Sequence, residues 1–289
     1  MTIMEALERA KHLHKQRHGL VGGQEVLVTP SDRRMPTDRH AVVGVEISED
    51  AGPLPPLVRL QIDPASCERN HILLTDEQIA QDRQGAAAYR MLRGRVTHRA
   101  RGSNWTCLGI TSPGPGEGKT VTAINLALAV ARDKQRPVYL IDLDMRNPSV
   151  LNYLGIRPPI SLPRYFTESL TSSEVIYETD IEGLCVAGAV EPVLEASELL
   201  ASTRLDELLS TVRQRSPEAL FLLDLPPVLS TDEALVVAPR ADAMFVVVSE
   251  GVTRRDSLSR AVELLSDFNV AGIIMNRSSD MIAKDYYGY

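Results

Sequence analysis

The chain has 289 residues, a formal charge of -7, 44% hydrophobic and 24% charged residues, which fits a soluble globular protein with one large core and room for a small appendage. The acidic balance and the lack of a long basic run exclude a nucleic-acid backbone as the main partner. Cys67, Cys107 and Cys185 are spaced neither as pairs nor as metal ligands, and no apolar run approaches the ~18 residues of a membrane span, so the expected place is the reducing cytoplasm.

Residues 1–18 form the first expected unit. The stretch "IMEALERAKHLHKQR" reads as an amphipathic helix, with Ile3, Ala6, Leu7, Ala10 and Leu13 on one face and Glu5 and Arg9 paired on the surface. Its basic, histidine-rich end leaves two readings open: docking on its own domain, or contact with a membrane surface or partner. Residues 19–69 follow as a linker, largely irregular, because "GGQ", "PSDRRMPTD" and "AGPLPP" are breaker clusters with short apolar pieces between them.

A single α/β domain is expected over 70–280. Helical patterning resumes near Asp76 and runs through "EQIAQDRQGAAAYRMLRGRVTH". Apolar runs at 106–111, 138–141, 184–189, 220–223, 244–248 and 271–275 then read as strands buried on both faces, with helices between them at 118–133, 203–214 and 254–268. Thr203 with Asp206 and Thr253 with Asp256 have the spacing of helix N-terminal caps. The order predicts a doubly wound, mostly parallel sheet with its ligand at the C-terminal ends of the strands.

The chemistry concentrates in three stretches. The strand "TCLGIT" runs into "SPGPGEGKT" and then a helix, the context of a phosphate-binding loop. Gly114, Gly116 and Gly118 let the backbone approach a polyphosphate, and Gly114, Pro115, Gly116, Glu117, Gly118, Lys119, Thr120 and Val121 border it at a helix start whose exposed amides point at the anion. Lys119 is placed for the β- and γ-phosphates and Thr120 for Mg²⁺; Pro113 stands at the first glycine position of the strict motif. In "VYLIDLDMRNP", Asp142 and Asp144 share a face of an extended segment, so both carboxylates point to one place and invite a cation, with Arg146 two residues on. In "LFLLDLPPVL", Asp224 ends the strand as a second metal-organising acid.

These stretches resemble the bacterial protein-tyrosine autokinases (BY-kinases) of capsule and exopolysaccharide export. The likeness rests on "PGEGKT", "YLIDLDMR" and "FLLDLPP", with "SELL", "TDEAL" and "GIIMN" in support, and spans roughly 70–280. The N-terminal helix and tyrosine tail resemble the branch found in exosortase-associated exopolysaccharide loci. The resemblance implies a P-loop fold, ATP and Mg²⁺ as cofactors, and autophosphorylation of a C-terminal tyrosine cluster. Here that cluster is Tyr286, Tyr287 and Tyr289 in the tail 281–289. It implies that Lys119 and Thr120 hold phosphates and metal, that Asp142, Asp144 and Asp224 organise Mg²⁺, and that Asp142 receives the phenol proton. Arg146 then anchors its motif or stabilises charge, and Asn276 contacts the adenine. It further implies a membrane-spanning polysaccharide copolymerase as partner, which would hold the chain at the inner membrane, and self-association. The family's E-x-x-R-x-x-R assembly motif keeps Arg90 and Arg93 but has Ala87 in place of the glutamate, which leaves a ring-type oligomer unsecured. Two rivals share the fold: positioning ATPases, which usually carry a lysine where Gly114 stands, and nucleotide-dependent regulators of polysaccharide chain length without catalysis.

Overall fold

A computed structural model describes residues 54–278 of the protein. The expected N-terminal helix and the tyrosine tail lie outside the described residues. Of these, residues 55–278 belong to one compact unit. In chain order its elements are β1 (Val58–Leu60), α1 (Pro64–Arg69), α2 (Asp76–Gln81), α3 (Arg83–Ser103), β2 (Cys107–Thr111), α4 (Lys119–Arg132), β3 (Val138–Asp142), α5 (Val150–Tyr153) and α6 (Leu162–Thr167). They continue with β4 (Tyr177–Thr179), β5 (Leu184–Ala187), α7 (Ala196–Ala201), α8 (Thr203–Arg215), β6 (Leu220–Asp224), α9 (Glu233–Val237), β7 (Ala243–Ser249), α10 (Arg255–Leu264) and β8 (Val270–Asn276).

The eight strands make one sheet in the order β1-β4-β5-β3-β6-β2-β7-β8. All neighbours pair in parallel except β4 with β5. Every residue of β2, β3 and β6 is buried, as strands covered by helices on both faces must be. After β2 the chain crosses to β3 on one side and later to β7 on the other, so β2 marks the switch point where a crevice opens at the strands' C-terminal ends. The helix that leaves β2, α4, is buried almost all round from Thr120 to Ala131, which fits its apolar sequence and its place between sheet and covering helices.

Three sequence readings need correction. The end of the 19–69 stretch is not irregular: β1 pairs in parallel with β4, and Asp63 caps α1 with Pro64 in its first turn. A three-residue edge strand is too short to show a period, but the Asp-Pro cap was readable. The turn that follows α1 is tied to α4, since Asn125 accepts from Leu73 N–H at 2.8 Å and donates to His71 O, and Arg132 donates to Leu73 O at 2.7 Å. The single helix read from Asp76 onward is two, because Asp82 leaves the helical path and its carboxylate takes the Gly85 N–H at 2.8 Å. Helices α8 and α10 start from Ser202 and Arg254 without a side-chain cap. Thr253 instead receives the Ser249 N–H at 2.8 Å.

Candidate active site

The phosphate loop joins β2 to α4. Gly116 at φ 75° and Gly118 at φ 90° sit in the left-handed region, and at Gly118 an added Cβ would stand 1.9 Å from Asn276 Nδ2. As the residue before α4, Gly118 offers no side-chain cap, so the first-turn N–H groups are left for an anion. Ser112 Oγ donates to Gly114 O at 2.7 Å and Val228 N–H to Ser112 O at 2.9 Å, which pins the loop's root.

Strands β3 and β6 end side by side with Asp142 opposite Asp224 in register. Both carboxylates are fully buried, and Asp144 is 2% exposed. Lys119 Nζ lies 2.7 Å from Asp144 Oδ2, 3.7 Å from Asp224 Oδ1 and 3.2 Å from Thr120 Oγ1, and the Thr120 hydroxyl donates to Asp224 Oδ2 at 2.7 Å. The five residues read from three separate stretches therefore meet at one point. Asp142 Oδ2 takes the N–H groups of Ser149 and Val150, each at 2.9 Å, and Oδ1 takes that of Asp144 at 3.0 Å. Room for Asp142 depends on Gly188, where a Cβ would come within 2.9 Å of the Asp142 Cβ.

Burial and the neighbouring charge of Asp224 push Asp142 up to about 7, against the pull of Lys119 and its backbone donors. Burial likewise raises Asp224, opposed by Lys119 and Thr120. Burial also works against the Lys119 ammonium, but Asp224, Asp144 and Asp142 outweigh it and hold its pKa above the ordinary lysine value. Three buried carboxylates thus face one ammonium, and Asp224 Oδ1 is buried with no hydrogen-bond donor. The orphaned Asp224 Oδ1 beside the Thr120 hydroxyl offers hard oxygen to a divalent cation, but among the described residues no three acidic side chains form a ready cage, so such a cation would complete its shell with water and phosphate oxygens.

Arg146 turns away from this cluster and pairs with Glu233 on α9; Glu233 is 1% exposed. It anchors the loop after β3, and Val193 N–H to Met145 O at 2.8 Å ties the loop after β5 to the same segment. Sequence reasoning missed Glu233 as a site residue, although "TDEAL" contained it. It also missed the Ser149 and Val150 amides, which no side-chain pattern reveals. Asn276, at the end of β8, lies against the phosphate loop and donates to Glu117 O at 3.0 Å. Tyr286, Tyr287 and Tyr289 lie outside the described residues.

Residues 108–285, more than half of the chain, match the CobQ/CobB/MinD/ParA nucleotide binding domain. The chain belongs to this family. Among its relatives, the tyrosine-protein kinase YwqD of Bacillus subtilis is 28% identical over 226 residues, which cover 77% of this chain and 91% of YwqD. Tyrosine-protein kinase CpsD of Streptococcus pneumoniae is 28% identical over 188 residues, 63% of this chain and 81% of CpsD. The kinase domain of the Escherichia coli tyrosine kinase ETK matches with a TM-score of 0.63 at 26% identity, over 71% of this chain and 80% of that one. Within the CobQ/CobB/MinD/ParA family, the chain is thus a BY-kinase by sequence and by fold. Among the described residues no helix is long and apolar enough to cross a membrane.

Proposed function

We propose that this BY-kinase transfers the γ-phosphoryl group of ATP, with Mg²⁺, to the tyrosines of its own C-terminal segment, and that this regulates exopolysaccharide polymerisation or export. The observation that carries the reading is the convergence of Lys119, Thr120, Asp142, Asp144 and Asp224 beside a helix start with open amides.

Bound Mg·ATP supplies the transferable phosphoryl group and the cation that neutralises it. The loop amides and Lys119 hold the phosphate oxygens, and Lys119 leaves Asp144 to do so. Thr120, Asp144 and Asp224 would hold the metal, directly or through water, and the Thr120–Asp224 hydrogen bond already fixes that pair at 2.7 Å. The acceptor phenol attacks phosphorus as the bond to the bridging oxygen breaks, and its proton passes to Asp142. Burial makes Asp142 a stronger base than an exposed aspartate, and Oδ1, with one donor against two on Oδ2, is the oxygen with capacity left. Arg146, held by Glu233, keeps the acidic loop in register. Asn276, at the end of β8, would meet the adenine with the Nδ2 proton that does not go to Glu117 O. Charge neutralisation at this depth, with water excluded, is the main source of rate.

The activity is proposed to take place at the cytoplasmic face of the membrane, with a membrane-spanning polysaccharide copolymerase as activator. Incubating the purified protein with Mg·ATP and probing for phosphotyrosine tests the reading. Phosphotyrosine that depends on Lys119 supports it; ATP hydrolysis without phosphotyrosine, with the copolymerase's cytoplasmic segment present, favours the positioning-ATPase or regulator reading.

A further inference from the structure

Asn276 is spent in a way that an adenine contact does not explain. Its Nδ2 donates to the main-chain carbonyl of Glu117, inside the phosphate loop, at 3.0 Å. Its Oδ1 accepts the N–H of Arg277 at 2.9 Å, where the chain turns through φ 54° as it leaves the sheet. Its own main-chain oxygen receives the Glu250 N–H at 3.0 Å, which fastens the end of β8 to the loop after β7. The amide also approaches Gly118 so closely that no side chain fits there.

A second contact runs parallel to the first. The Glu117 side chain is 5% exposed and turned inward toward the Thr253 hydroxyl and the Gly114 N–H, with Oε2 buried and without a hydrogen-bond partner. Thr253 is held in turn by Ser249, whose residue pairs with Asn276 in the β7–β8 ladder. The middle of the phosphate loop is therefore bound at its main chain by Asn276, and its Glu117 side chain is buried beside Thr253. Glycine at 116 and 118 gives the loop freedom that something outside it must remove.

We infer that Asn276 is a positioning residue that staples the phosphate loop to the end of β8, with Glu117 and Thr253 as the second arm. The staple sets the loop's amides toward an anion before nucleotide arrives, so their ordering is not a cost of binding. It also places the last residue of the sheet, from which the C-terminal segment departs, in direct contact with the cradle. This rests on the reading of the loop as a nucleotide site, but the staple exists without nucleotide and is testable without it.

Amide hydrogen exchange of the nucleotide-free protein separates the staple from a base contact. In Asn276→Ala the peptide covering 112–120 should exchange about tenfold faster, the worth of one hydrogen bond of ~1.4 kcal/mol. Peptides of β2 and β6 should keep their protection. Asn276→Asp, similar in size but unable to donate, should do the same, and Thr253→Val should loosen the same peptide through the other arm. Unchanged protection of 112–120 in Asn276→Ala and Asn276→Asp would overturn the inference, whatever the kinase assay gives. A protein with the staple intact and no phosphotransfer would count against the kinase reading alone.

Discussion

Lys119 is the residue on which the chemistry turns, because it is the single cation among three buried carboxylates in the described site. A methionine is of similar length but carries no charge. Lys119→Met should therefore reduce phosphotransfer by about a hundredfold or more while the circular dichroism spectrum is kept; undiminished turnover in the folded variant contradicts the role. Asp142 carries a pH signature. Its raised pKa means that the folded, metal-free protein keeps a proton the unfolded chain releases between the ordinary 3.8 and about 7. Asp142 therefore costs the fold progressively more stability as pH rises through that window and no more above it. Melting temperatures of wild type relative to Asp142→Asn, in EDTA, should fall from pH 4 to pH 7; a rise would put the carboxylate in a different environment. The thiols make a simpler case, since burial pushes Cys67, Cys107 and Cys185 up to about 12. Ellman's reagent at pH 8 should find no reactive thiol in the native protein and three in denaturant.

Elements explain how much of this was legible. The strand-loop-helix around the phosphate loop and the acids closing β3 and β6 were readable, because an apolar run that ends in a carboxylate leaves only one place for it: the strand's C-terminal edge. What escaped was set by partners distant in sequence. Strand β4, antiparallel to β5, is three residues long, too short for its period to be read from sequence. The break at Asp82 hides inside a good helical pattern, and Thr253 caps no helix but accepts the Ser249 N–H instead. The anchoring of Arg146 by Glu233 joins elements 87 residues apart. On α3, Ala87 and Arg90 are exposed, whereas Arg93 is 3.6 Å from Asp133 on its own subunit. If this face carries the family's assembly contact, Ala87→Glu should strengthen self-association by supplying the missing anion. Sedimentation of both proteins at equal concentration checks this, and an unchanged mass assigns assembly to another surface.

At the scale of the whole molecule, burial narrows the choice of phosphoacceptor. Of eight tyrosines, Tyr139, Tyr165 and Tyr177 are at most 3% exposed, so their hydroxyls are out of reach of any active site while the fold holds. Tyr89 is half-buried on α3, and Tyr153 is half-buried at the end of α5. The proposed acceptors Tyr286, Tyr287 and Tyr289 come after β8 in the sequence, and β8 ends at the same edge of the sheet as the phosphate loop. The most direct test of the kinase account is phosphosite mapping by mass spectrometry of the full chain after incubation with Mg·ATP, beside Lys119→Met. The account predicts phosphate concentrated on Tyr286, Tyr287 and Tyr289 in the wild type and absent from the variant. Phosphate chiefly on Tyr153 or Tyr165, or equal incorporation in Lys119→Met, would contradict it.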